Sequence, residues 1–146
     1  MLRANEIDEL YTLAAEIWRA HYPAIISAAQ IEYMLAQRYA PAVLQAEMAQ
    51  GGVWWDVLRI DGRMAGFASY FLASVAGELK LDKVYVHPRD QRRGYGGMLV
   101  DRATTIARAY GRDVLTLAVN KRNSHAIAAY RKYGFEVTAP VIKDIG

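Results

Sequence analysis

Cysteine is absent from the 146 residues. Disulfides, thiolate metal sites and a cysteine nucleophile are excluded at once. Histidine is nearly as scarce. His21, His87 and His125 stand apart without metal-ligand spacing, so no metal site is expected. No window approaches the roughly 18 apolar residues of a membrane span. The N-terminus carries neither a basic leader nor an apolar run, so a cytoplasmic protein with no membrane partner is expected. A strong charge of one sign is missing too: 18 Lys and Arg face 15 Asp and Glu, a net +3. Nucleic-acid binders concentrate positive charge over a face or helix. Here the one tight cluster, Arg89, Arg92 and Arg93, is local and suits a single anionic ligand rather than nucleic acid.

What is present fits a globular domain, with 53% hydrophobic and 23% charged residues. No repeat, linker or low-complexity stretch divides it, and one domain over residues 1–146 is expected. Asn5 reads as a helix cap, with Ile7, Leu10, Leu13, Ala14, Ile17 and Trp18 recurring at helical spacing. Ser27-Ala28-Ala29-Gln30 is a capping-box pattern before a second helix, and Pro41 suits the first turn of a third, which Gly51-Gly52 stops. Val53–Ile60 and Arg63–Leu72 read as strands joined by Asp61-Gly62, a strong hairpin signal. A strand over Leu79–His87, a helix from about Gly94 to Tyr110 and a strand over Val114–Val119 follow. A helix capped by Asn123 or Ser124 and a strand over Phe135–Val141 close the chain. The order predicts a mixed α/β fold, helices first, then antiparallel strands, then alternating strands and helices.

The most informative stretch runs from Leu81 to Tyr110. Gln91-Arg92-Arg93-Gly94-Tyr95-Gly96-Gly97 places glycines and two arginines at a helix start, where backbone N–H groups lack partners and the dipole is positive. Such a turn is an anion cradle, and a phosphate or pyrophosphate is the expected ligand. A P-loop needs Lys and Ser/Thr after the last glycine, but Met98 follows Gly97. A dinucleotide fold wants its glycine turn after the first strand and an acid about 20 residues on. The turn here is mid-chain, and Val114–Val119 ends without an acid.

Two motifs remain. Gln91, Gly94 and Gly96 satisfy Q/R-x-x-G-x-G/A, after a strand ending Val84-Tyr85-Val86-His87-Pro88. Downstream, Asn123, Ala126, Tyr130 and Gly134-Phe135 satisfy N-x-x-A-x-x-x-Y-x-x-x-G-F. Together they resemble the two signatures of the GNAT superfamily of N-acetyltransferases, over nearly the whole chain. The segment IWRAHYPAIISAAQIEYMLAQRY is similar to the PaiA-type branch, associated with polyamine acetylation.

The resemblance implies a mostly antiparallel central sheet, splayed at the cofactor site and flanked by helices, and acetyl-CoA as cofactor. Gln91, Arg92, Arg93, Gly94, Tyr95, Gly96 and Gly97 would hold its pyrophosphate. Val84, Tyr85 and Val86 would pair with the pantetheine arm like a strand, and Asn123 and Asn120 would bind the arm's amides. The implied reaction is direct attack of a small-molecule or peptide amine on the thioester in a ternary complex. Tyr130 would protonate the leaving thiolate, and the N–H of Val86 or Tyr85 would meet the oxyanion. A non-catalytic acyl-CoA-binding or regulatory module of the same fold is the alternative.

The acceptor half is less defined. The family's Glu on this strand aligns with Lys80. Simple alternation puts Asp82 and Val84 on the face of Lys80, which makes Asp82 the candidate general base. Glu78 and a water chain are the other options. Trp18, His21, Tyr22 and Tyr33 are expected to line the acceptor site, with Trp54 and Tyr70 as further walls. Few acids lie there beyond Glu16 and Glu32, which speaks against a long polyamine. Related chains run on into a further strand between those at Val114–Val119 and Phe135–Val141. Missing residues, or strand exchange in a homodimer, are therefore expected.

Overall fold

A computed structural model describes residues 2–21, 26–73, 77–91, 93–117, 124–133 and 135, with residues 21 and 124–126 described by backbone alone. The elements are α1 (Ile7–His21), α2 (Ala28–Tyr39), α3 (Pro41–Ala49), β1 (Val53–Ile60), β2 (Arg63–Leu72), β3 (Glu78–Val86), α4 (Tyr95–Ala109), β4 (Val114–Leu117) and α5 (Ser124–Lys132). The strand expected at 135–141 lies outside the described residues beyond Phe135.

Local signals set most boundaries. Ser27 Oγ accepts from the Gln30 N–H at 3.1 Å and starts α2, and Pro41 opens α3. The β1–β2 hairpin turns on Asp61 and Gly62, with φ of 51° and 82°, the left-handed pair that a two-residue turn of this hand requires. Gly111, at φ 70°, follows the end of α4. Asn5 does not cap α1. It lies inside a 3-10 turn, Ala4–Glu6, closed when the Glu6 carboxylate accepts from the Arg3 N–H at 2.9 Å.

The sheet order is β1-β2-β3-β4, antiparallel except for the parallel β3–β4 pair. Its two faces bury different side chains. On one side, Trp55, Phe67 and Tyr85 pack with Leu10, Ala14, Trp18, Leu35 and Tyr39 of α1 and α2. On the other, Tyr70, Leu79 and Leu81 pack against Val100, Ala103 and Ala107 of α4. Arg59 clamps the hairpin to the start of α1 through Glu6 and Glu9, both at 2.7 Å. The Trp55 indole donates to Glu47 of α3 at 2.7 Å. Both faces of β3 are therefore packed, and among the described residues its edge beyond Leu81 has no strand partner.

Candidate functional site at the open edge of β3

The pairing of β2 with β3 runs from Gly66–Val86 to Ser69–Lys83, then continues as Tyr70–Leu81. Asp82 is the extra residue, a β-bulge. The bulge resets which way side chains point. Before it, Leu79 and Leu81 face α4; after it, Val84 and Val86 take that face. Lys83 and Tyr85 turn instead to the α1–α3 side, Lys83 over the Tyr39 and Trp55 rings and Tyr85 against Trp18 and Phe67. Asp82 also lies on that side. Its carboxylate contacts the Lys83 ammonium and sits 4.0 Å from Arg38 of α2. The expectation that Asp82 and Val84 share a face is thus corrected, because one unpaired residue breaks strict alternation.

Pairing of β3 with β4 ends at Leu81–Leu117 among the described residues. The backbone beyond the bulge has no β4 neighbour there. The His87 N–H donates to the Ala65 carbonyl on β2 at 2.8 Å. By alternation the N–H and C=O of Val84 and Val86 then point to the open edge, whereas those of Tyr85 point to β2. The Val86 carbonyl accepts from the Gln91 side-chain amide at 3.1 Å.

The chain then enters the glycine turn. His87 Nδ1 accepts from the Arg89 N–H, which starts a 3-10 turn over Pro88–Asp90. Asp90 is buried and takes a bidentate hold from Arg63, at 2.7 and 2.8 Å. The hydrogen bonds from Arg63, with help from Arg89, bring its carboxyl down to about 2. Gly94 sits at the N-cap of α4 with φ 81°, and a Cβ there would meet nothing within 4 Å. Its need is conformational, not spatial. The first bond of α4 runs from the Met98 N–H to the Gly94 carbonyl, at 3.2 Å. The N–H groups of Tyr95, Gly96 and Gly97 precede it and have no partner within the helix. Exposed Arg93 adds positive charge to that end.

Tyr133, just after α5, lies over this turn. A Cβ on Gly96 would come within 2.5 Å of the Tyr133 hydroxyl, and one on Gly97 within 3.4 Å of its ring. The two sequence motifs, far apart along the chain, are in contact here. Tyr130, on the same helix, is half-buried with its ring edge-on to Phe135, centroids 5.9 Å apart.

The aromatic residues divide. Trp18 is a core residue on the α1–α3 side, edge-on to Tyr39, and Tyr33 is exposed on α2. Trp54 and Tyr70 do not wall that side. They stack on each other on the α4 face, where the Tyr70 hydroxyl bonds the buried Asp56 carboxylate. Burial and then the bond to Asp56 push the Tyr70 phenol up. Their positions on β1 and β2 alternate with those of Trp55 and Phe67, which explains the correction. The side chain of His21, and Tyr22, Arg92, Asn120 and Asn123, lie outside what is described.

Two features were not anticipated. One is the buried Lys83. The other is a cleft of about 370 Å³ on the α1–α3 side, lined by Asp82, Ser69, Glu47, Phe71 and Leu72 among others. A lysine beside an aspartate in an otherwise apolar strand was the available signal for the first. Among the described residues no group of three side chains could hold a metal ion, and no helix is long and apolar enough to cross a membrane.

The donor set fits a ligand with an anionic group and an amide-bearing chain. Helix-terminal N–H groups and Arg93 suit the anion, and the β3 edge beyond Leu81, unpaired among the described residues, suits the chain. The sequence profile of the acetyltransferase (GNAT) family matches residues 7–135. The spermidine N(1)-acetyltransferase of Thermoplasma acidophilum is 26% identical over 140 residues, covering 93% of this chain and 86% of that protein. The crystal structure of the PaiA N-acetyltransferase from Thermoplasma acidophilum, in complex with coenzyme A, superposes with a TM-score of 0.87. It is 24% identical, over 94% of this chain and 87% of that one. An aminoglycoside N-acetyltransferase bound to a bisubstrate analogue, CoA-S-monomethyl-acetylneamine, has a TM-score of 0.71 at 16% identity, over 96% and 90% of the two chains.

Proposed function

This chain belongs to the GNAT family, acetyl-CoA-dependent N-acetyltransferases, and we propose that within it the acceptor is a small polycationic amine, attacked directly with both substrates bound. The reaction is transfer of an acetyl group from acetyl-CoA to an amine. The observation that carries the proposal is continuity. Among the described residues, the β3 edge beyond Leu81 has no strand partner, and it leads, through the Arg63–Asp90 anchor, to the N–H groups of Tyr95, Gly96 and Gly97, which have none within α4.

When bound, acetyl-CoA supplies an activated thioester carbonyl. The N–H groups from Arg93 to Gly97 would hold its pyrophosphate, each charged bond worth about 0.3–2 kcal/mol. Val84 would hydrogen-bond the pantetheine amides along the edge. Gln91, by occupying the Val86 carbonyl, keeps that residue's N–H turned to the same edge. Of the two candidate donors to charge developing on the carbonyl oxygen, Val86 is favoured, since the Tyr85 N–H is directed at β2. Asp82 would take a proton from the acceptor ammonium on the α1–α3 side, freeing the amine lone pair to attack the thioester carbon, and Tyr130 would give a proton to the sulfur as the C–S bond breaks.

Support for a polycationic acceptor is chemical and comparative. The cleft beside Asp82 joins two carboxylates, Asp82 and Glu47, to the apolar side chains of Phe71 and Leu72. The full-length relative acts on spermidine, and a fold neighbour binds an analogue built on an aminoglycoside amine. The test is CoA release measured across a panel of spermidine, neamine, free amino acids and a lysine peptide. Spermidine or neamine should give the highest kcat/KM. Turnover confined to the peptide or the amino acids would overturn the acceptor class.

A further inference from the structure

We propose that Lys83 is a positioning residue, whose buried ammonium holds the Asp82 carboxylate in place and ionised and so sets the pH above which the enzyme turns over. The inference rests on the proposal that Asp82 accepts the proton of the acceptor amine. Lys83 itself touches neither substrate in that scheme.

Consecutive residues of a strand ordinarily point to opposite faces. Asp82 and Lys83 meet on one face because the bulge inserts Asp82 between the Ser69–Lys83 and Tyr70–Leu81 pairs. The Lys83 side chain is 3% exposed, and its Nζ is paired with the Asp82 carboxylate. That ammonium contacts the Asp82 carboxylate and lies 4.9 Å from the centre of the Trp55 ring and 5.7 Å from that of Tyr39. The rings are fixed in turn. Trp55 donates to Glu47, and Tyr39 packs edge-on against Trp18 and Phe67. The cage leaves the ammonium little freedom, so its position dictates that of the carboxylate.

Among the described residues, charges on this side include Arg38 from α2, Glu47 from α3, Glu78 and Lys80 on β3 before the bulge, and the Glu16–His87 pair at 3.3 Å between α1 and the end of β3. Arg38 and Lys80 act with Lys83 in favouring an ionised Asp82, and Glu47 and Glu78 oppose them. Lys83 is both in contact and buried, where screening by water is weakest. A base kept ionised in this way works at lower pH than an isolated one.

The same contact makes Asp82→Asn ambiguous by itself, because it strands a buried ammonium without its carboxylate. The pair must be dissected together. The measurement is kcat/KM against pH for the wild type, K83M, K83R, D82N and D82N/K83M, with CoA affinity and melting temperature as checks on folding. K83M should move the acidic limb upward by about 1–3 pH units, with CoA affinity kept, and K83R should return it toward the wild-type position. If K83M does not fold, K83Q, which keeps a donor for the carboxylate without the charge, takes its place. An acidic limb unmoved in K83M or K83Q, while D82N/K83M loses the limb, would overturn the role of Lys83 and leave Asp82 as the base. A double variant that regains wild-type rate and limb would instead remove Asp82 from the mechanism, and the role of Lys83 with it.

Discussion

Gly66 on β2 lies so close to β3 that a Cβ built on it would come within 2.7 Å of the Tyr85 carbonyl oxygen. That oxygen belongs to the backbone of the strand proposed to carry the acyl donor. It cannot rotate away as a side chain would. The same Cβ would also crowd the Val86 side chain at 3.3 Å, while meeting Leu99 in ordinary contact at 3.5 Å.

Gly66→Ala should therefore move β3 at Tyr85–Val86. The expected cost is about 1–3 kcal/mol of stability, the usual penalty for overpacking a filled site. The KM for acetyl-CoA should rise as well, because the displaced residues border the open edge. Chemical denaturation and steady-state kinetics measure both, and a variant matching the wild type in each would show that β3 tolerates the shift.

Asp90 makes a prediction about pH. Its folded value of about 2 lies below its unfolded one near 3.9. The ion pair with Arg63 thus contributes stability that is fully present above about pH 4 and is lost as pH falls toward 2. Asp90→Asn should melt at lower temperature than the wild type at pH 7, and the gap should close between pH 4 and pH 2. CoA affinity should fall too, because Asp90 anchors the turn that leads to Gly94. A gap of constant size across that range would mean that the ion pair is not its source.

Tyr130→Phe should keep CoA affinity and lower turnover by about 10²–10⁴-fold, the usual contribution of general acid catalysis. Calorimetry with CoA and an assay of thiol release separate the two effects. Equal turnover of the variant and the wild type would take the acid role from Tyr130.

Much of the fold was legible because its signals act over a few residues. The Asp61-Gly62 turn, the Ser27 cap, Pro41 and Gly94 each answer a local demand of backbone geometry, and the strands and helices around them fall where the pattern predicts. Asn5 misled because a shorter contact, from Glu6 to the Arg3 N–H, satisfied the start of the chain first. Trp54 and Tyr70 misled for another reason. Aromatic side chains suit either face of a sheet, and only the pairing register settles which.

The sequence by itself determined the family, the elements and the glycine turn, since motif spacing and local propensity are properties of the chain. Tertiary structure decided three things. It inserted Asp82 as a bulge, which turned Lys83 toward Tyr39 and Trp55 and split Asp82 from Val84. It seated Tyr133 on Gly96 and Gly97, joining the two motifs. It tied Asp90 to Arg63 across 27 residues. Each depends on register and packing between elements distant along the chain, and no spacing rule within one segment encodes that.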